Sequence, residues 1–428
     1  MFTSDYKEQP WWWDRTPPPV RTEQTLPERA DVLVIGAGYT GLHAAIQTAR
    51  GGRHTVVVDA EHTGWGASSR NGGQISRSVK PDFESLSRKH GRETAFAIHR
   101  EGENSIDYTE DFIGREGISC DFGRVGRFHA AHNLARFRRL VQRVEKPVPG
   151  LEDGSYIIPK SEQHSELGTD LYFGGAVSPN NACLDPAAYH RGVLTTALAA
   201  GVKVISHCPA LDIRREASGF TVKTARGLIQ ANRVVIATNG YTGALTPWHR
   251  RRVIPIGSYI IATEPLDKAV MDRLMPTNRV ISDTRKVVYY YRPSPDRRRI
   301  IFGGRVSIGE TNPRLSAPRL HKSLTAIFPE LSAVRISHSW MGFVAYSFDE
   351  LMHIGEDDGL HYAMGYCGSG VGMSGYLGMR AGQQVLGLKE GRTAFDNLPF
   401  QTRPFYSGKP WFLAPSLLYY KLMDSLNI

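Results

Sequence analysis

The feature that most constrains this chain is a glycine motif between an apolar run and a helical pattern. The run 31–35 is short, apolar and β-branched, which is typical of a buried parallel strand. It leads into Gly36, Gly38 and Gly41, spaced GxGxxG, and then into a helical pattern. In such a turn the first glycine permits a tight bend, the second lets backbone N–H groups approach a pyrophosphate, and the third lets helix and strand pack closely. The motif predicts a dinucleotide-binding βαβ unit with phosphates at the helix N-terminus.

An acidic residue supports this interpretation. The apolar run 55–58 ends at Asp59, about 20 residues after the glycines, where a carboxylate accepts hydrogen bonds from both ribose hydroxyls. Glycines also mark ordinary turns, but here the strand, the helix, the second strand and the acid follow in the required order. A nicotinamide-dependent dehydrogenase uses the same fingerprint and is an alternative.

The length of the chain and its cysteines limit the classes of protein to which it can belong. A chain of 428 residues is too long for one compact core and predicts two domains. The four cysteines lie far apart without a CxxC pair, which argues against a structural zinc or a disulfide framework and suits a reducing cytoplasm. The sequence shows no secretory signal pattern and no apolar run of membrane-spanning length. We predict a cytoplasmic protein with no membrane span and no metal site.

The net charge of +10 allows a nucleic acid, an anionic surface or a small acidic substrate as the partner. The basic clusters at 136–139, 249–252 and 296–299 are short, scattered and flanked by turn residues. Such clusters are more typical of solvated loops and helix faces than of a nucleic-acid groove, so we predict no nucleic-acid partner. A positive field that steers an anionic substrate is the alternative that survives.

Three more segments have the composition of ligand-binding turns. The stretch 64–74 is rich in glycine and serine and suits backbone that lies against a flat, polar ligand. The apolar run 233–237 predicts a second buried parallel strand, which ends in the turn 238–240. A strand at 361–364 leads into the glycine-rich turn 365–370 and then a helix. A plain Rossmann domain does not need this last turn, which argues against the nicotinamide alternative.

The rest of the chain predicts a second, antiparallel layer. The segments 258–263, 287–292 and 300–305 have strand composition and predict one sheet on the substrate side. A short strand at 228–230 is predicted to be the last strand of a separate antiparallel meander. The three tryptophans and the prolines of 1–28 predict an extended arm that covers a surface on the body or on a neighbouring subunit of a homo-oligomer.

Taken in this order, these pieces resemble the D-amino acid oxidase and sarcosine oxidase superfamily of flavoproteins, above all its γ-glutamylputrescine oxidase branch. The matching motifs are 34–41, 66–74, 235–240 and 365–370. The resemblance implies an α/β fold, with a discontinuous Rossmann-like FAD-binding domain and an α+β substrate domain on a large mixed or antiparallel sheet. The boundaries it implies are an N-terminal arm at 1–28, an FAD-binding domain at 29–80, 180–250 and 350–395, a substrate domain at 81–179 and 251–349, and a C-terminal tail and helix at 396–428.

The resemblance also implies FAD contacts residue by residue. The fingerprint turn would hold the pyrophosphate, Asp59 the ribose, Ala210 and Leu211 the adenine, and the turn at 368–372 the flavin ring. Some relatives attach the flavin to a cysteine near the strand of Trp340 or to a histidine in the serine-bearing loop, and neither residue type stands there. We therefore predict non-covalent FAD. The predicted cofactor residues are Gly36, Gly38, Tyr39, Thr40, Gly41, Asp59, Ala60, Ala67, Ser68, Ser69, Arg70, Asn71, Gly72, Gly73, Gln74, Ala210, Leu211, Ala237, Thr238, Asn239, Gly240, Gly368, Ser369, Gly370, Val371, Gly372 and Met373.

For the substrate side, the resemblance gives candidates rather than a full set. Sarcosine oxidases grip the substrate carboxylate with a lysine in the glycine-rich loop, where this chain has Gly372. Arg292 and Arg305 are the predicted replacements, because an arginine can form a bidentate pair with a carboxylate. Tyr259 and Trp340 are predicted near the flavin, where they would complete the catalytic set. A role in core packing or in a structural ion pair is the alternative for these candidates.

The activity implied by the resemblance is hydride transfer from the carbon next to a neutral amine to the flavin. The imine would be hydrolysed by water, and O2 would reoxidise the flavin to give hydrogen peroxide. A helix that starts after Gly370 would direct its dipole at the charge on the flavin pyrimidine edge. The predicted substrate is a small anionic secondary or N-substituted amino acid, such as iminodiacetate or a sarcosine-like compound. The alternatives are a γ-glutamylputrescine-type amine oxidase, a dehydrogenase with another electron acceptor, and a flavin-containing nucleic-acid-binding protein.

Overall fold

The computed structural model of the chain describes residues 1–19, 25–304 and 311–425. Two large sheets organise these residues, one of nine strands and one of eight. In chain order, the strands of the described residues are β1 (Phe2–Lys7), β2 (Arg29–Ile35), β3 (Thr55–Val58), β4 (Gln74–Ile75), β5 (Arg127–Ala130), β6 (Tyr156–Ile158), β7 (Gly175–Ser178), β8 (Ala182–Cys183), β9 (Lys203–Ile205), β10 (Ala210–Glu216), β11 (Gly219–Thr224), β12 (Gly227–Ile236), β13 (Ile254–Thr263), β14 (Val280–Asp283), β15 (Tyr289–Pro293), β16 (Ile300–Gly304), β17 (Ile336–Tyr346), β18 (His353–Asp357) and β19 (Leu360–Met364).

The helices fill the space between and outside the sheets. In chain order they are α1 (Trp12–Arg15), α2 (Tyr39–Arg50), α3 (Ala67–Arg70), α4 (Phe83–His90), α5 (Arg92–Arg115), α6 (Leu134–Glu145), α7 (Pro186–Ala199), α8 (Pro247–Arg250), α9 (Lys268–Leu274), α10 (Pro313–Ile327), α11 (Gly370–Val385) and α12 (Leu413–Ser425). Within the described part of the chain, none of them is both long and apolar enough to cross a bilayer.

The eight-stranded sheet is parallel at its centre. β2 lies between β12 and β3, and β9 continues the parallel pairing beyond β3. Val34, Val57 and Val235 pack with α2 on one face of this sheet, while Leu33 and Ile236 are buried on the other. Burial of both faces explains why these strands read as continuous apolar runs. The predicted Rossmann-like layer is therefore confirmed.

One strand of this sheet differs from its prediction. The segments 228–230 and 233–237 were expected as separate strands, but β12 runs through both without a break. Its first half pairs antiparallel with β11, and its second half pairs parallel with β2. Since no glycine or proline interrupts the chain between the two segments, one extended strand serves both the meander and the parallel layer.

The nine-stranded sheet, called the large sheet below, carries the predicted antiparallel layer. β13 lies between β17 and β16, and β15 follows β16, all antiparallel. β14 and β5 pair in parallel, so the sheet is mixed. Alternate residues of a strand point to opposite faces: Tyr259 and Ile261 pack towards α10, whereas Ile260, Ala262 and Trp340 pack on the opposite face.

The N-terminal arm is built into the large sheet. β1 pairs in parallel with β17, at the edge of the sheet. The short helix α1 follows, and the indole of Trp12 is completely buried among Trp340 and its neighbours. The predicted surface for the aromatic residues of the arm is therefore the body of the same chain.

Candidate functional site

One cavity of about 530 Å³ joins the four glycine-bearing turns that the sequence singled out. We call it the cofactor cavity. It lies where β2, β3 and β12 end, and its wall includes Gly36, Gly66, Asn239 and Gly368, one from each turn. Because parallel strands deliver their C-terminal ends to the same edge of a sheet, this is the position at which open α/β sheets bind ligands.

The structure sorts the predicted cofactor residues into two groups. Those that line the cofactor cavity are Gly36, Gly38, Tyr39, Thr40, Asp59, Ala60, Ala67, Ser68, Asn71, Ala210, Ala237, Thr238, Asn239, Gly368, Gly370 and Val371. Those that are not part of its wall are Gly41, Ser69, Arg70, Gly72, Gly73, Gln74, Leu211, Gly240, Ser369, Gly372 and Met373. The wall also contains side chains that sequence reasoning missed, among them Trp65, Tyr241, Leu245, Phe343, Val344, Tyr366 and Ser374.

The fingerprint turn has the close contacts that require glycine. Gly36 has φ +111°, and a Cβ there would lie 2.8 Å from the carbonyl oxygen of Ala237. A Cβ on Gly41 would overlap the carbonyl oxygen of Gly36, so α2 and β2 can approach only with glycine at this position. At Gly38 a Cβ would lie 2.8 Å from Ser68 Oγ and would project towards the cavity wall. These contacts fit a turn that carries a pyrophosphate against its backbone.

Asp59 is part of the wall of the cofactor cavity, directly after the end of β3. Its Oδ2 accepts a hydrogen bond of 2.6 Å from the backbone N–H of Ala37, and its Oδ1 accepts one of 3.0 Å from that of Glu61. Burial raises the pKa of this carboxyl above its ordinary value, although both backbone contacts oppose the shift. Ala210 lines the same cavity, whereas Leu211 is 55% exposed and contributes no side chain to the wall.

The serine-bearing loop is held in place by indole N–H groups. Trp340 donates from Nε1 to the carbonyl oxygen of Arg70 at 2.7 Å, and Trp12 donates to that of Asn71 at 3.0 Å. Trp13 Nε1 donates to Ser69 Oγ at 2.9 Å. Ser69 and Arg70 thus support the loop from behind, while Ala67, Ser68 and Asn71 face the cavity.

The N-terminus of α11 opens onto the cofactor cavity at Gly370 and Val371. Ser369 does not cap this helix with its side chain; its Oγ donates instead to the carbonyl oxygen of Ser78 at 2.8 Å. The backbone N–H groups of the first turn of a helix have no partner within the helix and carry its positive dipole end. At Gly372 a Cβ would lie 3.0 Å from Ile75 Cγ2, so a lysine here would have to displace its neighbours.

Two predicted catalytic residues are placed differently from what the prediction requires. Tyr259 lies in the core under α10, completely buried, and its hydroxyl accepts a hydrogen bond of 2.8 Å from the backbone N–H of Thr311. It therefore faces away from the loop at 64–74. The reason is strand alternation, since the face of β13 that packs with Trp12 and Trp340 is the one that carries Ile260.

The guanidinium of Arg292 donates hydrogen bonds to main-chain carbonyl oxygens, which leaves few of its donors for a ligand. Its Nη1 donates to the carbonyl oxygens of Gly73 and Leu184 at 3.0 and 2.9 Å, and its Nε donates to that of Pro293 at 3.1 Å. The side chain is only 4% exposed. This geometry gives Arg292 a structural role instead of the predicted grip on a substrate carboxylate. The prediction for Arg305 falls outside the described residues.

The large sheet turns other hydroxyl groups towards the loop at 64–74. Tyr290 OH lies 2.7 Å from Ser258 Oγ, and a Cβ on Gly72 would lie 3.1 Å from the ring of Tyr290. Burial raises the pKa of Tyr290 to about 12, so the phenol stays neutral. Further along, Lys80 Nζ donates to Tyr346 OH at 3.0 Å. Sequence reasoning missed these residues, although the alternation within the three tyrosines 289–291 was the signal that separates the two faces.

Comparisons with known proteins agree with this site. The profile of the family described as FAD dependent oxidoreductase matches residues 31–384. A probable oxidoreductase OrdL from Rhizobium meliloti is 31% identical over 426 residues, covering 96% of this chain and 97% of the relative. The gamma-glutamylputrescine oxidoreductase of Escherichia coli is 29% identical over 407 residues, covering 93% of each.

A solved structure shows the same fold. The glycine oxidase from Geobacillus kaustophilus superimposes with a TM-score of 0.72 at 19% identity, covering 88% of this chain and 99% of that one. The predicted family resemblance and the predicted FAD dependence are thereby confirmed. The cavity wall contains the fingerprint turn, the acid Asp59 and the N-terminus of α11. In agreement with the family profile, this chain belongs to the DAO family of FAD-dependent oxidoreductases, which act on amines and amino acids.

Proposed function

We propose that this chain is an FAD-dependent oxidase of a secondary or N-substituted amino acid that carries an anionic group. The observation that carries the proposal is the single cavity in which Asp59 and the N-terminus of α11 are parts of one wall. A cofactor with an adenosine end and a redox-active ring end needs both features in one space. When bound, FAD would accept a hydride from the carbon next to the amine nitrogen.

α11 would supply the field for this reaction. Gly370 and Val371 bring the positive end of a 16-residue helix to the cavity wall. Unpaired N–H groups at that position stabilise negative charge that develops on a bound ring, as preorganised donors do in an oxyanion hole. Behind this turn, the hydrogen bond between Ser369 and Ser78 fixes the start of the helix.

The large sheet would supply the substrate side. Tyr290 and Ser258 form a hydrogen-bonded hydroxyl pair on the face that packs towards the loop at 64–74. Each hydroxyl oxygen of the pair has two lone pairs, so the pair can accept a hydrogen bond from the N–H of a neutral amine. In this proposal Trp340 acts as wall and support, since its indole N–H is already bonded to Arg70.

The flavin is proposed to be held without a covalent bond. Cys367 lies in the chain between two residues of the cavity wall, Tyr366 and Gly368, and its buried thiol donates to the carbonyl oxygen of Gly365. Burial raises the pKa of Cys367 to about 11, so little reactive thiolate is present near neutral pH. After precipitation of the protein with acid, the flavin should be found in the supernatant; flavin in the pellet would contradict this point.

A γ-glutamylputrescine-type amine oxidase is the second candidate. It is favoured by the Escherichia coli relative, which matches nearly the whole length of this chain. The two candidates differ in substrate: a small secondary amino acid in the first, and a long amine with a remote amino-acid end in the second. Neither requires a change in the assignment of the cofactor cavity.

One set of measurements tests the proposal. The purified protein should be yellow, and under anaerobic conditions its flavin absorbance should bleach when the right amine is added. Iminodiacetate, sarcosine and γ-glutamylputrescine are the first amines to compare. Readmission of air should restore the colour with release of hydrogen peroxide. Bleaching without recovery in air would indicate a dehydrogenase with another acceptor, and a flavin that no amine bleaches would contradict the proposed function.

A further inference from the structure

A second cavity, of about 600 Å³, lies next to the segment that supports α11. We call it the basic cavity. Residues 77–84 form one wall, and Arg127, Asn181 and the last turn of α6 with Arg143 form others. The segment 77–84 also reaches the cofactor side through the hydrogen bonds from Ser369 to Ser78 and from Lys80 to Tyr346. The two cavities are therefore neighbours across a short stretch of chain.

Two buried donors in the wall of the basic cavity lack an acceptor, and the buried His99 Nε2 of the same wall also has no hydrogen-bond partner among the described residues. Asn181 is 1% exposed, and its Nδ2 has no hydrogen-bond partner among the described residues, although its Oδ1 accepts from the backbone N–H of Arg77. Arg127 Nε is likewise buried and without a partner in the described part of the chain; its Nη1 reaches Ser76 Oγ at 3.3 Å. Buried donors are almost always paired in folded proteins, so two orphans in one cavity point to an acceptor that the chain itself does not supply.

The charges around these donors favour an anion. Burial and the neighbouring Arg143 lower the pKa of Arg127 to about 10, which shows how poorly its charge is compensated. Asp153 is the acid that opposes this shift, and its Oδ1 already accepts from the backbone N–H of Ser155. Of the other acids of the wall, Asp82 caps α4, Glu152 accepts from a backbone N–H in its own loop, and Glu84 is exposed to solvent.

We propose that the basic cavity binds a carboxylate of the substrate that is remote from the C–N bond to be oxidised. The acceptor oxygens of the carboxylate would pair with Arg127 Nε and Asn181 Nδ2, with Arg143 as a further cation, and Lys80 would lie along the path from the cofactor cavity. The substrate is then an amine whose carboxylate sits on an extended arm. This inference rests on the proposed function, and it replaces Arg292 as the source of recognition.

The site is tested first by binding, without turnover. The FAD-loaded protein is titrated calorimetrically with glutarate, a dicarboxylate without an amine, and with sulfate as a generic anion. Arg143→Gln and Arg127→Gln should each raise the Kd for glutarate at least tenfold, and Asn181→Leu about fivefold. Arg139→Gln, one turn earlier on the same helix and outside the wall of the basic cavity, is the matched control and should change the Kd less than twofold. An intact flavin spectrum and an unchanged unfolding midpoint show that a variant is folded. If Arg127→Gln does not fold, the result for Arg143→Gln decides the test.

Turnover then assigns the bound anion to the substrate. An amine with a remote carboxylate is compared with the corresponding amide. In the unaltered enzyme kcat/KM for the carboxylate should be at least ten times that for the amide, and in Arg143→Gln the two values should become nearly equal. A Kd for glutarate that none of the variants changes, or sulfate binding as tight and as sensitive to Arg143, would overturn the proposal. Failure of the proposed function is seen separately, as a flavin that no amine bleaches while glutarate binding still depends on Arg143.

Discussion

Trp340 and Arg70 are joined by a single hydrogen bond, from the indole Nε1 to the backbone carbonyl oxygen at 2.7 Å. Trp340 belongs to β17 of the large sheet, and Arg70 belongs to the loop that contributes Ala67 and Ser68 to the cofactor cavity. The large sheet therefore holds the loop in its place in the wall of the cofactor cavity.

Removal of this bond should loosen FAD binding. Trp340→Phe keeps an aromatic ring in the core but loses the N–H, and we expect a loss of about 1 kcal/mol in the free energy of unfolding. The Kd for FAD should rise several-fold, measured by quenching of flavin fluorescence on titration of the apoprotein. Trp411→Phe is the control, because Trp411 is 67% exposed and distant from the loop in sequence. Equal Kd values for the two variants would contradict the support role.

A side chain at Gly38 should abolish FAD binding. In Gly38→Leu the new side chain would meet Ser68 Oγ and fill the approach of the pyrophosphate to the backbone. The purified variant should be colourless, with a flavin-to-protein absorbance ratio below a tenth of that of the parent. Gly114→Leu places the same side chain where no atom lies within 4 Å, and that protein should stay yellow. Full occupancy in Gly38→Leu would refute the assigned site.

A substitution at Arg292 distinguishes a structural role of this residue from a role in substrate binding. In Arg292→Met the carbonyl oxygens of Gly73, Leu184 and Pro293 lose a charged donor inside the protein, which should lower the free energy of unfolding by about 3 kcal/mol. The urea midpoint of the FAD-loaded protein measures this. An unchanged midpoint together with a large rise in KM would restore the role in carboxylate binding.

Two neighbouring tyrosines on opposite faces of β15 allow a test of which face of the large sheet binds the substrate. Tyr290→Phe removes the hydroxyl that pairs with Ser258, and we expect kcat/KM for the amine to fall about tenfold. Tyr291 lies in the core under α10, with its hydroxyl near that of Tyr172, so Tyr291→Phe should affect stability and leave kcat/KM nearly unchanged. The opposite pattern in stopped-flow flavin reduction would place the substrate on the other face.

Acid should destabilise the protein through His190. Its Nε2 donates to the carbonyl oxygen of Ala37 at 2.8 Å, and burial lowers its pKa to about 4. Between about pH 6.5 and pH 4 the unfolded chain binds a proton on this residue while the folded chain does not, so stability falls as the pH falls, by up to about 3 kcal/mol. His190→Gln should reduce the slope of the unfolding free energy against pH in this window. The same substitution at the exposed His54 should leave the slope unchanged.

The sequence predicted those parts of the site that are encoded locally. The positive φ of Gly36 and the close contact of Gly41 with Gly36 are set within one short segment, so the residue types there reveal the turn whatever the rest of the chain does. Ser369 is an exception: it was predicted as a cofactor residue, but it is not part of the cavity wall and its hydroxyl donates to the carbonyl oxygen of Ser78.

The residues that sequence reasoning misplaced depend on faces and on distant partners. β13 and β15 are apolar or aromatic on both faces, so the pattern does not show which tyrosine faces the loop at 64–74. The partners of Arg292 are main-chain carbonyl oxygens of residues far away in the sequence. Every residue has a carbonyl oxygen, so the sequence does not show which of them accept from Arg292. The orphaned donors of Arg127 and Asn181 likewise became visible only when their surroundings were known.

The parallel pairing of β1 with β17 has a consequence for the order of folding. Phe2 pairs with Ile336, so this edge of the large sheet forms only when two segments that lie far apart in the chain have met, and such non-local pairing is slow. Trp12 and Trp13 reach the loop at 64–74 from the same segment. The support of that loop is thus a long-range contact, and we expect it to form later than the local turn at Gly36.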